Sequence, residues 1–249
     1  MNRNAPDEEP ELGPAPRGWG RDALSSYLDL LRRNQLASYQ QLSGSYARLR
    51  DLDGLYLKVA KNLDNTEQTA PALFFYRAHA AFRAVIGLVL AGQVVETYAM
   101  LRNCLEQALY AYFIYKDPKR WDVWQGRHDS REALKKVKQL FRISDMLSAL
   151  QADHPRDGSV TADLYEHTIN LGAHPNAFGL FQGVDVSEDS EATTIVTQYL
   201  HPSTPAHKAA LLETARVGVA VLGIFAHIFE PRSTLLGIWN DLAPLKTGL

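Results

Sequence analysis

The feature that most constrains this chain is the distance over which apolar residues keep helical spacing. Leu24, Leu28 and Leu31 begin a 3,4 pattern that runs on through Tyr39, Leu42, Tyr46 and Leu49 and resumes at Leu52, Tyr56, Val59 and Leu63. This predicts one long amphipathic helix, or two in series, over 21–62, with Ser43, Gly44 and Ser45 at the break. Pro71, at a first-turn position after Thr69, opens a second helix over 71–91 that Gly92 can close. With Arg77, His79 and Arg83 inside it, that segment is too short and too polar for a membrane span and reads as a buried helix, so no membrane partner is expected. The run QVVETYAMLRNCLEQALYAYFIYK then leads to Asp117 and Pro118 with apolar residues on nearly every side. It predicts a central helix over 93–116.

Shorter amphipathic pieces follow between Pro118 and Leu150, with Asp129 or Ser130 capping REALKKVKQLF. ADHPRDGS reads as a loop, and a helix over 159–171 is stopped by Gly172. In 177–200 the period changes: FGLFQGVDV and TTIVTQYL are β-branched and aromatic runs on either side of SEDSEA. Pro205 opens a last long helix to residue 229, and a short one is expected near 235–242. The fold class is therefore all-α, a multi-helix up-and-down bundle with a small irregular or hairpin excursion near 177–200. Four prolines, three glycines and an acidic run in the first twenty residues predict a flexible tail over 1–19, which leaves 20–249 as one helical domain.

Composition narrows the function classes. Lys plus Arg number 26 against 28 Asp plus Glu, a balance without the basic excess of a general phosphate-backbone binder. Cys104 is alone and cannot form an internal disulfide, and no basic-then-apolar secretory start is present, so a cytoplasmic location is expected. No Glu is followed three residues later by His, no His-x-x-x-His pair occurs, and one cysteine cannot build a thiolate zinc site. Neither a metal nor a cofactor is expected. Phosphate loops, dinucleotide fingerprints and Gly-x-Ser-x-Gly elbows are likewise missing.

What remains is a set of polar residues on otherwise apolar stripes. Val95, Ala99, Arg102, Glu106, Leu109 and Phe113 follow 4,3,4,3,4 spacing, which puts Arg102 and Glu106 one turn apart on a face that reads as buried. Such a pair is either a structural tie between helices or a ligand-holding site. His79 sits on the stripe Phe75, His79, Phe82, Ile86, and His167 on Val160, Leu164, His167, Leu171, with His174 extending that spacing past Gly172. Glu213, Arg216, Ala220, Gly223, His227 and Glu230 form a polar and small stripe on the last long helix. Stripes like these can converge in a bundle core, which makes His79, Asn103, His167, Asn170 and His227 candidate ligand-binding residues. Trp121 and Trp124 are either a binding rim or packing over the bundle.

The segment GQVVETYAMLRNCLEQALYAYFIYKDP, with its Leu-Arg-x-x-x-Glu, aromatic residues and Asp-Pro, resembles bacterial helical families grouped as domains of unknown function, and YEHTINLGAHP resembles their second signature. These families are distantly similar to the HEPN superfamily of four-helix bundles, which includes metal-independent ribonucleases and toxins. The resemblance covers roughly residues 71–175. It implies Arg102 and Asn103 as the start of an Arg, polar residue, spacer, His motif. Here Glu106 and Gln107 stand where the histidine would be, and no Arg in the chain has a His five to seven positions later. Two functions follow. One is an interaction or ligand-sensing module that self-associates through the first long helix. The other is a metal-independent HEPN-like ribonuclease acting on RNA, with Arg102 binding phosphate and Glu106 or His174 moving a proton.

Overall fold

The computed structural model describes residue 13 and residues 15–188 and 193–249, so most of the expected tail over 1–19 lies outside them. The first periodic run forms two helices, α1 (Ala23–Gln41) and α2 (Ser43–Ala60), broken at Leu42. Asp22 caps α1 by accepting the Ser25 amide, and Trp19 Nε1 donates to Asp29 across the entering turn at 2.7 Å. The centre of the fold is the antiparallel hairpin of α3 (Thr69–Ala91) and α4 (Val94–Lys116), with Gly92 in the left-handed conformation at the turn. Its carbonyl also accepts the His201 amide at 2.9 Å, and a Cβ on Gly92 would stand 3.0 Å from that same backbone nitrogen.

Three short helices cross the end of this hairpin, α5 (Lys119–Gln125), α6 (Arg131–Leu140) and α7 (Ile143–Asp153), with a 3-10 turn at Gly126–His128. Ser130 is the cap of α6. The expected loop ADHPRDGS is corrected: Pro155 occupies the first turn of α8 (Pro155–Thr168), with only His154 between α7 and α8. Gly158, which looks like a loop residue, lets the two helices touch, because a Cβ there would lie 2.4 Å from the Gln151 Cα. After α8 come a π turn at Ile169–Ala173, helix α9 (Ala177–Phe181) and an antiparallel pair, β1 (Val184–Glu188) and β2 (Thr193–Thr197). Long α10 (Pro205–Ile228), α11 (Glu230–Leu235) and α12 (Ile238–Leu245) close the chain. The architecture is all-α with one small hairpin inside the expected window.

Helices α3, α4 and α10 supply most of the core. Phe75, Phe82, Leu101, Leu105, Leu109 and Phe225 are each at most 1% exposed, and Phe75 meets Phe225 edge to face at 5.1 Å. Each such side chain stabilises by about 1.5–3 kcal/mol relative to exposure. By length and apolar content alone, Thr69–Ala91 and Pro205–Ile228 could each cross a membrane; here 50% and 78% of their most apolar windows lie inside the fold. Carbonyls in the last turns of α3 also accept from α1: Asn34 donates to Ala91, Gln35 to Gly87 and Ser38 to Leu90, and those of Leu90 and Ala91 lie in the final turn, where helical partners run out.

Candidate functional site

Arg102 and Glu106 face one another on α4, with Arg102 Nε donating to Glu106 Oε1 at 2.8 Å. The pair is mostly buried and in salt-bridge contact, as its spacing predicts, although the two side chains retain 25% and 31% exposure. Helix α4 is central, but this part of its surface is covered only by α8 and the π turn. Tyr165, buried on α8, donates its hydroxyl to the same Glu106 oxygen at 2.9 Å, and the Arg102 guanidinium carbon lies 5.2 Å from the Tyr165 ring centre. Burial and then the Glu106 charge push the Tyr165 phenol well up, so it stays a donor.

His174 completes the cluster from the far side of the π turn. Gly172 has φ 151°, and a Cβ there would press within 2.8 Å of the Val95 carbonyl oxygen on α4. This close approach brings the chain back over α4. Asn176 holds the loop by donating to the Ile169 and His174 carbonyls, both at 2.9 Å. The exposed imidazole then meets Arg102 Nη1 through Nε2 at 2.5 Å. A guanidinium only donates, so in this contact Nε2 is the acceptor.

The other candidate residues do not join this cluster. His167, two residues beyond Tyr165 on α8, points elsewhere, pairing through Nδ1 with buried Glu213 of α10 at 3.0 Å. Glu213 also takes Arg216 at 3.3 Å, and burial followed by the Glu213 charge raises the nearby Tyr98 phenol to about 12. His79 is a structural tie: it bonds Asp53 of α2 at 2.7 Å, Arg83 grips the same carboxylate at 2.8 and 2.9 Å, and Tyr56 stacks on its ring. His227 bonds Asp157 at 2.8 Å and stacks on His154. Asn170 is exposed and, among the described residues, its side chain reaches Glu166 alone, at 3.4 Å; Asn103 is half-buried on α4. Trp121 and Trp124 stack on each other at 5.3 Å, and Trp124 meets Phe74 of α3 at 5.2 Å.

Sequence reasoning missed Tyr165 and Asn176, although YEHTINLGAHPN carries both; a tyrosine is a ready phenol donor, but its register against Glu106 is set only by packing of α8 on α4. Among the described residues no group of three His, Cys, Asp or Glu side chains is placed to hold a metal ion. Comparison with protein-family models, with curated proteins and with solved structures finds no match.

Proposed function

We propose that this chain is a helical interaction and ligand-sensing module rather than a catalyst. The observation that supports this reading is that its best acid–base candidates are engaged with one another, even though Glu106 keeps one carboxylate oxygen open. Glu106 Oε1 already accepts from Arg102 and Tyr165, and the His174 lone pair is directed at a permanent cation. An imidazole whose free nitrogen accepts from a guanidinium is a poor general base, since protonating it would set two donors against each other. His167 is engaged with Glu213 and gives no second base to the cluster.

The alternative, a metal-independent HEPN-like ribonuclease, draws support from a single arrangement: Arg102 and exposed His174 stand side by side, so a phosphate that captured Arg102 would release Nε2. Self-association belongs to the first reading, because α1 leaves Leu24, Leu28, Leu36 and Tyr39 exposed. The test is a thermal-shift screen of the full chain against small molecules spanning cations, aliphatic acids, sugars and aromatic acids. The sensing reading expects at least one class to raise the melting temperature in proportion to the logarithm of its concentration. No stabilisation by any class would overturn it.

A further inference from the structure

A second feature lies on the other side of Glu106. Where α5 and the following 3-10 turn fold back over α3 and α4, a cavity of about 480 Å³ opens, lined by Phe74, Tyr110, Trp121, Trp124, Arg77 and Arg127, with Glu106 and Gln107 at one edge. Its size falls within the range of about 300–1,000 Å³ typical of small-molecule sites. The aromatic wall is already assembled. Trp121 and Trp124 are nearly parallel in a stack, with a 12° interplanar angle, Phe74 lies 6.1 Å from Tyr110, and Tyr110 stacks on Phe141 at 5.1 Å. Helix α5 is fastened by Arg120, whose guanidinium covers the Phe113 ring at 3.6 Å and donates to the Phe113 carbonyl at 2.6 Å.

The charges are unbalanced. Among the described residues neither Arg77 nor Arg127 has a carboxylate partner, and the buried Arg127 Nε has no hydrogen-bond acceptor at all. The single acid on the lining is Glu106, whose charge is already met by Arg102. The orphaned N–H leaves a cost that an acceptor brought in from solution would relieve, after a small rotation of the arginine side chain. Glu106 Oε1 is occupied, while its Oε2 has no bond among the described residues and can accept from a ring N–H or from an amino group on the ring.

We infer that this cavity binds a planar nitrogen heteroaromatic carrying one anionic group, a carboxylate or a phosphate, with the ring against Trp121, Trp124 and Phe74 and the anion on Arg127 and Arg77. The inference deepens the sensing reading and rests on it. It names the ligand class and separates the cavity from the Arg102–His174 side of Glu106.

Calorimetric titration of the full chain tests it with indole-3-carboxylate and AMP as anionic probes, and with indole-3-carboxamide, adenosine and inorganic phosphate beside them. The two anionic arms show which headgroup the arginines prefer. The expected result is binding of at least one anionic aromatic, loss of about tenfold or more for its uncharged relative, and no binding of phosphate alone, since each charge-assisted bond is worth about a factor of ten. Arg127→Gln and Arg77→Gln should each weaken binding about tenfold, while Arg156→Gln, in a separate groove between α8 and α10, leaves it unchanged. Equal binding of charged and uncharged rings would overturn the assignment, and so would wild-type affinity in both arginine variants. If the broader screen finds a stabilising compound but neither anionic ring binds in the calorimetric titration, the cavity assignment fails and the sensing reading stands. Failure of every compound in both experiments removes both.

Discussion

Replacing Glu106 by alanine would test the cluster at its hub. Two groups lose their acceptor: the Arg102 Nε–H and the Tyr165 hydroxyl. Arg102 keeps 25% of its side-chain surface in water and retains His174, so its loss is close to that of a partly exposed one-turn ion pair, about 0.5 kcal/mol. Tyr165 is only 6% exposed, and its stranded hydroxyl costs about 1–2 kcal/mol. The total is about 2 kcal/mol, below the roughly 3 kcal/mol that a fully buried pair would give. For a chain of this size that lowers the melting temperature by roughly 4–8 °C. Calorimetry of wild type, Glu106→Ala, Tyr165→Phe and the double variant should reveal coupling of about 1 kcal/mol, because Tyr165→Phe relieves the orphan that Glu106→Ala creates. Glu106→Gln, which keeps an acceptor for the phenol, should cost less than alanine. Additive single effects, or an unchanged melting temperature in Glu106→Ala, would refute the reasoning.

Three further outcomes are expected. Tyr56 is fully buried with no partner for its hydroxyl among the described residues, so Tyr56→Phe should leave stability unchanged or raise the melting temperature by roughly 2–4 °C, and a clear drop in thermal melting would show that the hydroxyl has a partner. His207 is buried as the neutral ring, donating from Nε2 to the Val89 carbonyl at 2.6 Å and accepting the Ser203 amide on Nδ1 at 3.0 Å; burial holds its pKa below 6.5. The unfolded chain then takes up a proton more readily, so the stability His207 contributes is complete above pH 6.5 and is lost as pH falls from there toward the folded-state pKa, a decline that denaturant melts should find smaller in His207→Gln. If α1 mediates self-association, Leu36→Glu with Tyr39→Lys should shift light-scattering mass toward the monomer without lowering the melting temperature, since both side chains are more than half exposed.

The long helices were legible because periodicity depends on each helix alone, and Leu101, Leu105 and Leu109 must be buried wherever α4 packs. The pairing of Arg102 with Glu106 was legible for the same reason, since both lie on one helix one turn apart. Their degree of burial was not, because it depends on how fully α8 and the π turn cover that face. The partners of the histidines were illegible too. His167 and His174 share a spacing in the sequence, but Gly172 turns the backbone through φ 151° between them, sending one ring to α10 and the other to α4. Pro155 and Gly158 read as loop residues because their local preferences ignore the partner helix. In the fold one opens α8 and the other makes room for α7. The cavity required α5 to fold back on α3, a contact that no spacing within either segment encodes.

The most direct test of the central claim is to incubate wild type and His174→Ala with structured and single-stranded RNA in EDTA, which silences metal-dependent contaminants, and to follow cleavage on a gel. A sensing module in which Arg102, Tyr165 and His174 are held in one cluster around Glu106 Oε1 and Arg102 predicts no cleavage by either protein. Cleavage by wild type that disappears in His174→Ala would contradict it and establish the ribonuclease reading instead.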